Sequence, residues 1–261
     1  MTESNGLRRI WRSMPPFVQK PLKGSIQTAI SSFVQQAGQG FVDHTGLLKH
    51  VKANGFSPQT IIDVGAFVGD WSRVARSVFP NARTIMVEGN EENREQLAAT
   101  TRELNDSEYA IAVLGPESGT EVVFHVQSQG SSVLKELTPF VGQEKVVLTT
   151  RLDDLLAGRQ MPEPILLKLD VQGFELEVLR GAPLTFARSE VVILETALMP
   201  YNQGSPLFAE VISFMAESGF AVYDFCEHHR RESDGALFQI NVMFAKSDSQ
   251  LRAAKKFWLH E

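Results

Sequence analysis

Two stretches of this chain bring acidic residues, glycines and a lysine together at spacings that chemistry can use. The first is Asp63-Val64-Gly65-Ala66-Phe67-Val68-Gly69-Asp70. Glycine at such a corner lets the backbone turn sharply and approach a ligand closely. The glycines are spaced G-x-x-x-G with Phe67 between them, whereas a dinucleotide turn uses G-x-G-x-x-G. Asp63 and Asp70 would repel a pyrophosphate and suit a cationic ligand. S-adenosylmethionine has that character, with a sulfonium, an ammonium and no phosphate. Glu88, 25 residues after Asp63, adds a carboxylate able to accept both hydroxyls of a ribose. The second stretch centres on Lys168 and Asp170, two residues apart and so on one face of a strand. Such a pair keeps both groups charged. A carboxylate held this way can orient a hydroxyl or take its proton. The structural alternatives are a Gly-rich corner without a ligand and an ion pair that only supports a sheet edge.

These residues need elements to position them. Thr60–Val64 is a short apolar strand that ends in the Gly-containing turn. Trp71, Val74, Ala75 and Val78 lie on one face of a helix over Trp71–Phe79, stopped by Pro80. Arg83–Val87 is a second strand, and Asn90 is a good N-cap for a helix to about Leu104. Tyr109–Val113, Ile165–Leu169 and Val191–Leu194 continue the strands. A helix from Pro206, a good N1 residue, ends before Gly219. Ala221–Phe225 and Phe238–Ala245 follow with only a short linker between them, so they pair antiparallel. Apolar strands alternating with amphipathic helices make a mostly parallel sheet covered on both faces. Residues 116–152 interrupt the rhythm, with extra strands at Gly119–Val126 and Lys145–Thr150. Ahead of the sheet, Ile26–Gln36 and the region of Leu47, Leu48 and Val51 have helical spacing.

Composition narrows the class. At 261 residues the chain can bury a sizeable core, either as one large domain or as one domain plus an appendage. Cys226 is its single cysteine, so neither an internal disulfide nor a Cys cluster for zinc is available, which fits a reducing, cytoplasmic setting. No apolar run reaches the ~18 residues of a membrane span, and the N-terminus lacks the uninterrupted apolar region of a signal peptide. The net charge of −6 disfavours a general nucleic-acid binder. That average hides an asymmetry. Residues 1–42 carry Arg8, Arg9, Arg12, Lys20 and Lys23 against Glu3, a net of +4 that leaves −10 for the rest. This basic arm is expected to cover the active site, to mediate contacts in a homodimer, or to touch an anionic partner such as a membrane surface or a lipid-linked substrate. One basic segment with modest apolar content is marginal as an anchor.

The run from Ile165 to Ala182, ILLKLDVQGFELEVLRGA, resembles the signature of FkbM-family methyltransferases, K-x-D-x-E-G-x-E-x-x-V-L-x-G-A. The turn Val64–Gly69, Glu88, the Ser131-Ser132 loop, Leu152–Leu156 and a strand ending at Glu195 match as well. The resemblance covers roughly Pro58–Lys246. It implies an α/β fold: a Rossmann-like class I methyltransferase sheet, mostly parallel with an antiparallel last strand, behind an N-terminal helical extension. Residues 1–57 are then the arm and helices, and 58–261 the methyltransferase domain. It also implies methyl transfer from S-adenosylmethionine to a hydroxyl of a sugar, glycolipid or other metabolite. Carried over by position, Asp63, Gly65, Ala66 and Gly69 line the methionine end and Ser72 caps the turn. Glu88 holds the ribose with Asn90 beside it, and Val113 and Leu114 flank the adenine. Asp170 faces the reacting methyl. One position departs from the pattern: Gln172 stands where many members have Glu, and it is given no catalytic role.

Further candidates come from the loops. Glu195, at the end of its strand, and Tyr201 after it are candidate substrate contacts; a rim carboxylate is the plain alternative. His228-His229-Arg230-Arg231 falls in the linker between the last strands. His228 is an alternative base, and the arginines suit an anionic substrate. Glu175 and Glu177 open a helix, where the dipole favours carboxylates whatever the function. A magnesium site from Asp170, Glu175 and Glu195 has no diagnostic spacing, so no metal ligand is assigned. His125 is expected to pack or to face water. Competing functions are methylation of nitrogen or a carboxylate, a non-catalytic nucleotide-binding protein, and an NAD-linked oxidoreductase.

Overall fold

The computed structural model describes residues 42–127, 130–137 and 142–253. The helix expected over Ile26–Gln36 and the basic arm up to residue 41 lie outside them. The expected helix around Leu47 is α1 (His44–Ala53), capped by the Asp43 carboxylate, which accepts from Gly46 N–H at 2.7 Å.

The main sheet has seven strands. β1 (Thr60–Val64), β2 (Arg83–Glu88) and β3 (Ser107–Ile111) run parallel on one side. β7 (Ile165–Leu169) and β8 (Ser189–Ala197) extend it in parallel on the other. β9 (Phe220–Arg230) forms the edge, and β10 (Leu237–Lys246) inserts between β8 and β9, antiparallel to both. The order is β3-β2-β1-β7-β8-β10-β9. Every residue of β1 and β7 is buried, which is why these strands are apolar runs and not alternating patterns. Ile62, Leu167, Val192 and Leu194 pack on one face against Leu179, Phe186 and Met215. Ile61, Leu166, Val191 and Ile193 pack on the other against Ala75 and Val78, with Leu47, Leu48 and Val51 of α1 in the same core.

The connecting helices are α2 (Asp70–Val78), α3 (Arg94–Glu103), α4 (Leu152–Leu155), α5 (Glu175–Arg180), α6 (Pro183–Arg188) and α7 (Phe208–Glu217). Pro206 stands one residue before the N-cap Leu207 and not at N1; the helix start is secured by Glu210, which accepts from Leu207 N–H at 2.8 Å. The strand expected over Tyr109–Val113 is divided. β3 ends at Ile111, and β4 (Val113–Leu114) leaves the main sheet to pair with β6 (Gln143–Thr150), which also pairs with β5 (Glu121–Val126). The hand-over happens at Ala112, whose N–H still bonds Glu88 O at 2.9 Å, while Gly115 N–H already bonds Thr150 O at 3.1 Å.

The linker expected over Cys226–Leu237 is shorter than its polar sequence suggests. Backbone pairing with β10 carries β9 through His228, His229 and Arg230, with register shifts on the way. A turn closed by Arg231 N–H on Ala236 O at 2.8 Å is all that remains. An edge strand exposes one side to water, so its polar residues carry no sign that it is still paired.

Candidate active site

The β1–α2 turn is built on backbone contacts that exclude side chains. Gly65 has φ +77°, and a Cβ there would fall 1.8 Å from the Asp170 carbonyl oxygen. Asp170 N–H in turn donates to Val64 O at 3.0 Å, so the ends of β1 and β7 are in direct contact. Phe67 takes φ +52°, an uncommon conformation for a residue with a side chain. Its N–H donates to Glu88 Oε2 at 2.8 Å, and Asn90 N–H donates to Glu88 Oε1 at 2.7 Å. One carboxylate thus ties the turn to the end of β2. Burial pushes the Glu88 carboxyl up, and these two N–H groups oppose that shift.

Behind the turn lies a charged column. Asp63 is fully buried and accepts from Ser72 Oγ at 2.7 Å. Ser72 therefore anchors Asp63. Lys168, paired with Asp63 across the β1–β7 register, places Nζ 3.6 Å from Asp63 Oδ1 and 3.2 Å from Asp170 Oδ2. The Trp71 ring covers the same ammonium, 5.4 Å from its centroid. Burial pushes the Asp63 carboxyl up, against the pull of Lys168. Burial acts on Asp170 in the same direction, but Lys168, Gln172 and Glu195 together hold its carboxyl below the usual range. Burial would lower the Lys168 ammonium, yet Asp170 and Asp63 hold it above its ordinary value.

Gln172 and Glu195 complete the polar end. Gln172 Nε2 donates to Asp170 Oδ1 at 3.0 Å and to Glu195 Oε2 at 2.7 Å; Gln239 Nε2 reaches the same Glu195 oxygen at 3.3 Å. Burial, with Asp170 and Glu175 nearby, pushes the Glu195 carboxyl well up. Glu175 turns away and accepts from Val171 N–H at 3.0 Å and Gly173 N–H at 3.1 Å. Burial raises its carboxyl to about 7. It braces the loop after β7 and does not converge with Asp170 and Glu195. Among the described residues, no group of three or more His, Cys, Asp or Glu side chains is arranged to hold a metal ion.

All of this opens onto one cavity of about 430 Å³, a common size for a small-molecule site. Its lining includes Gly65, Phe67, Glu88, Val113, Leu114 and Phe124. Asp170, Gln172, Glu195, Tyr201, His229 and Gln239 line it as well. Of the residues singled out in the sequence, Asp63, Ala66, Gly69, Ser72, Asn90 and Lys168 support the walls from behind and do not line the cavity. Gly69 N-caps α2 at φ +87°, and Asn90 accepts from Glu92 N–H at 3.1 Å. His228 also lies outside the lining, and its neighbour His229 takes the wall position. The Tyr201 ring packs on Phe238 with centroids 5.5 Å apart. Burial and a hydrogen bond to Glu136 raise its hydroxyl to about 12. His125 packs in the small sheet, 3.4 Å from Glu144 Oε1. Phe67, Phe124, Gln172, His229 and Gln239 went unremarked as lining. Only the turn position of Phe67 and the motif position of Gln172 offered a signal.

The lining fits S-adenosylmethionine. Among the described residues it contains acidic groups and no lysine or arginine, which suits a sulfonium and an ammonium better than a pyrophosphate. Glu88 lines the cavity as a carboxylate acceptor, the chemistry a ribose hydroxyl needs. Val113, Leu114 and Phe124 supply an apolar slot of the kind a purine enters.

Comparison with known proteins agrees. The model of the methyltransferase FkbM domain matches residues 63–222, which is more than half of the chain. The chain belongs to the FkbM methyltransferase family. It is accordingly a methyltransferase, and S-adenosylmethionine is the donor that FkbM membership implies. Among solved structures, an FkbM methyltransferase from Methylobacillus flagellatus KT is 16% identical with a TM-score of 0.47. That alignment covers 72% of this chain and 44% of the other, so this chain spans less than half of that protein's length. A putative O-methyltransferase from Klebsiella pneumoniae is 10% identical with a TM-score of 0.48, over 80% of this chain and 83% of that one. Magnesium protoporphyrin IX methyltransferase from Synechocystis PCC 6803, solved with bound S-adenosylmethionine, is 14% identical with a TM-score of 0.43, over 94% and 92%. No curated protein sequence matches the chain. No described helix is long and apolar enough to cross a membrane.

Proposed function

We propose that this FkbM methyltransferase transfers a methyl group from S-adenosylmethionine to a hydroxyl of a sugar, glycolipid or other hydroxylated metabolite, with Asp170 as the base. The observation that carries this reading is the Asp170 carboxylate on the cavity wall. It lines the cavity next to the Gly65 turn, with one oxygen on Lys168 and the other on Gln172. Its carboxyl is held below the usual range and so is ionised at neutral pH.

Bound S-adenosylmethionine supplies a methyl carbon already activated by positive sulfur. The protein must align an oxygen behind that carbon, exclude water and accept one proton. Asp170 would accept the proton of the acceptor hydroxyl as its oxygen takes the methyl group in place of sulfur and S-adenosylhomocysteine leaves. Glu195, whose carboxyl burial pushes up, meets a second group of the acceptor as a hydrogen-bond partner. Tyr201 and Phe238 form an aromatic wall beside it. Glu88, Val113, Leu114 and Gly65 are the cofactor contacts, with Asp63, Ala66, Gly69, Ser72 and Asn90 supporting them. Lys168 positions Asp170. The catalytic domain is taken as residues 58–261, with residues 1–57 in front of it.

A screen with methyl-labelled S-adenosylmethionine against sugars, nucleotide-sugars and lipid-linked glycans tests the reading. Label on a hydroxyl oxygen supports it. Label found only on nitrogen or carboxylate overturns the acceptor class. Heat from NAD in calorimetry, with none from S-adenosylhomocysteine, overturns the cofactor.

A further inference from the structure

Gln172 is more firmly built into the cavity wall than a residue without a task requires. It has φ +56°, which a side-chain-bearing residue adopts only when its surroundings impose it. Its carbonyl accepts from Asn202 Nδ2 at 2.7 Å and from Ser132 Oγ at 3.1 Å, so two separate loops hold it. Asn202 and Ser132 are themselves buried. The next residue must be glycine: Gly173 has φ +95°, and a Cβ there would lie 2.6 Å from the Ser205 Cβ. This scaffold delivers the side-chain amide to one place, between the carboxyl groups of Asp170 and Glu195, at 3.0 Å and 2.7 Å.

An amide NH2 has two hydrogens, and here each goes to a different carboxyl. The opposite flip would aim the amide oxygen at two acidic oxygens, so the chemistry of the neighbours dictates the orientation. Two carboxyl groups this close normally resolve their repulsion by sharing a proton. A proton resting on Asp170 would remove the base.

We infer that Gln172 is a positioning residue of the reaction, a neutral double donor to Asp170 and Glu195 that stabilises the Asp170 carboxylate and keeps it aimed into the cavity. The inference rests on the proposed role of Asp170. The remaining groups facing the pair are Lys168 on Asp170 Oδ2, Asp63 behind Lys168, Gln239 on Glu195, and Glu175 on the loop after β7. Tyr201 and His229 lie on the wall near it. None of the neutral groups among them bonds both carboxyls.

The test uses the full chain and two variants of equal size. Gln172→Met removes both donors and adds no charge. Gln172→Glu removes both donors and adds a charge. The Asp170 carboxyl carbon is followed by 13C NMR against pH and assigned by its loss in Asp170→Asn. Binding of S-adenosylhomocysteine is measured by calorimetry on the same samples. In Gln172→Met the Asp170 midpoint rises by about one pH unit, the size expected for one lost hydrogen bond to a charge. In Gln172→Glu it rises further, by roughly one to three pH units for a like charge at contact. S-adenosylhomocysteine affinity stays within about threefold of wild type in both, since Gln172 is not among the cofactor contacts. An Asp170 midpoint that coincides in all three proteins overturns the inference. So does loss of S-adenosylhomocysteine binding in the variants alone, because that marks a residue needed only for the fold. Failure of the wild type itself to bind S-adenosylhomocysteine is a different outcome and refutes the methyltransferase reading instead.

Discussion

Replacing Lys168 by Met probes the charged column more severely than any other single change. The ammonium lies between Asp63, which is fully buried, and Asp170, at 3.6 and 3.2 Å. Met keeps the length of the stem and removes the charge. Two carboxyls are then left beside each other with no cation, one of them with no access to water. Breaking a buried pair in this way costs about 3–5 kcal/mol. At ~2–4 °C per kcal/mol for a domain of this size, the melting temperature falls by roughly 6–20 °C. The pH dependence provides the sharper check. In the wild type the folded Asp170 carboxyl lies below its ordinary value, so it contributes stability above that ordinary value and loses it as pH falls through the lower folded value. Without Lys168 both carboxyls move up, and the folded state prefers them protonated. The deficit of Lys168→Met is therefore largest near neutrality and shrinks as pH is lowered from about 8 to about 5. Adding Asp63→Asn to Lys168→Met removes the orphaned charge and recovers part of the loss, because an unpaired buried group costs more than an absent one. Thermal melts of the three proteins across that range decide the matter. A Lys168→Met protein that melts within about 2 °C of wild type, or a deficit that does not change with pH, would refute the view that the column is held by charge.

Other changes separate the roles assigned to neighbouring residues. Asp170→Asn lowers kcat by about 10²–10⁴-fold, the usual worth of a positioned base, and leaves S-adenosylhomocysteine binding by calorimetry near wild type. Glu88→Gln weakens S-adenosylhomocysteine by roughly 10–100-fold, since the amide nitrogen cannot accept from the turn or from a ribose. Gly65→Ala meets the Asp170 carbonyl and loses both soluble yield and cofactor binding. Gly119→Ala, at φ +83° in open space, costs only about 1–2 kcal/mol in a denaturant titration. The thiol of Cys226 is fully buried, 3.3 Å from His44 Nδ1, and burial pushes it above its ordinary value. It stays silent to a thiol reagent in the native protein and reacts on unfolding; rapid native labelling would contradict the seating of α1 on β9.

The rhythm of the fold was legible because it is local. β1 and β7 are buried on both faces, so each is a run of apolar residues that declares itself. The turn after β1 declared itself as well, since Gly65 and Gly69 stand where φ is positive. Lys168 and Asp170 were placed together by strand parity alone, and they do form an ion pair. Parity failed farther along. His228 was the histidine chosen from the linker, but β9 continues through register shifts and puts His229 on the cavity wall. Those shifts come from pairing with β10, which no local pattern in β9 contains.

Residue type and spacing by themselves therefore determined an α/β sheet, a glycine turn after its first strand and a lysine–aspartate pair at a strand end. All of these follow from the alternation and backbone needs of a few consecutive residues. Tertiary structure decided what depends on partners distant along the chain. It inserted β10 inside the edge strand, moved the chain into a second sheet at Ala112 and turned Glu175 toward backbone amides. It also set the Gln172 amide between Asp170 and a glutamate from the next strand. Contacts of that kind are selected by global packing and by the need to satisfy buried polar groups, and a single segment holds no record of either.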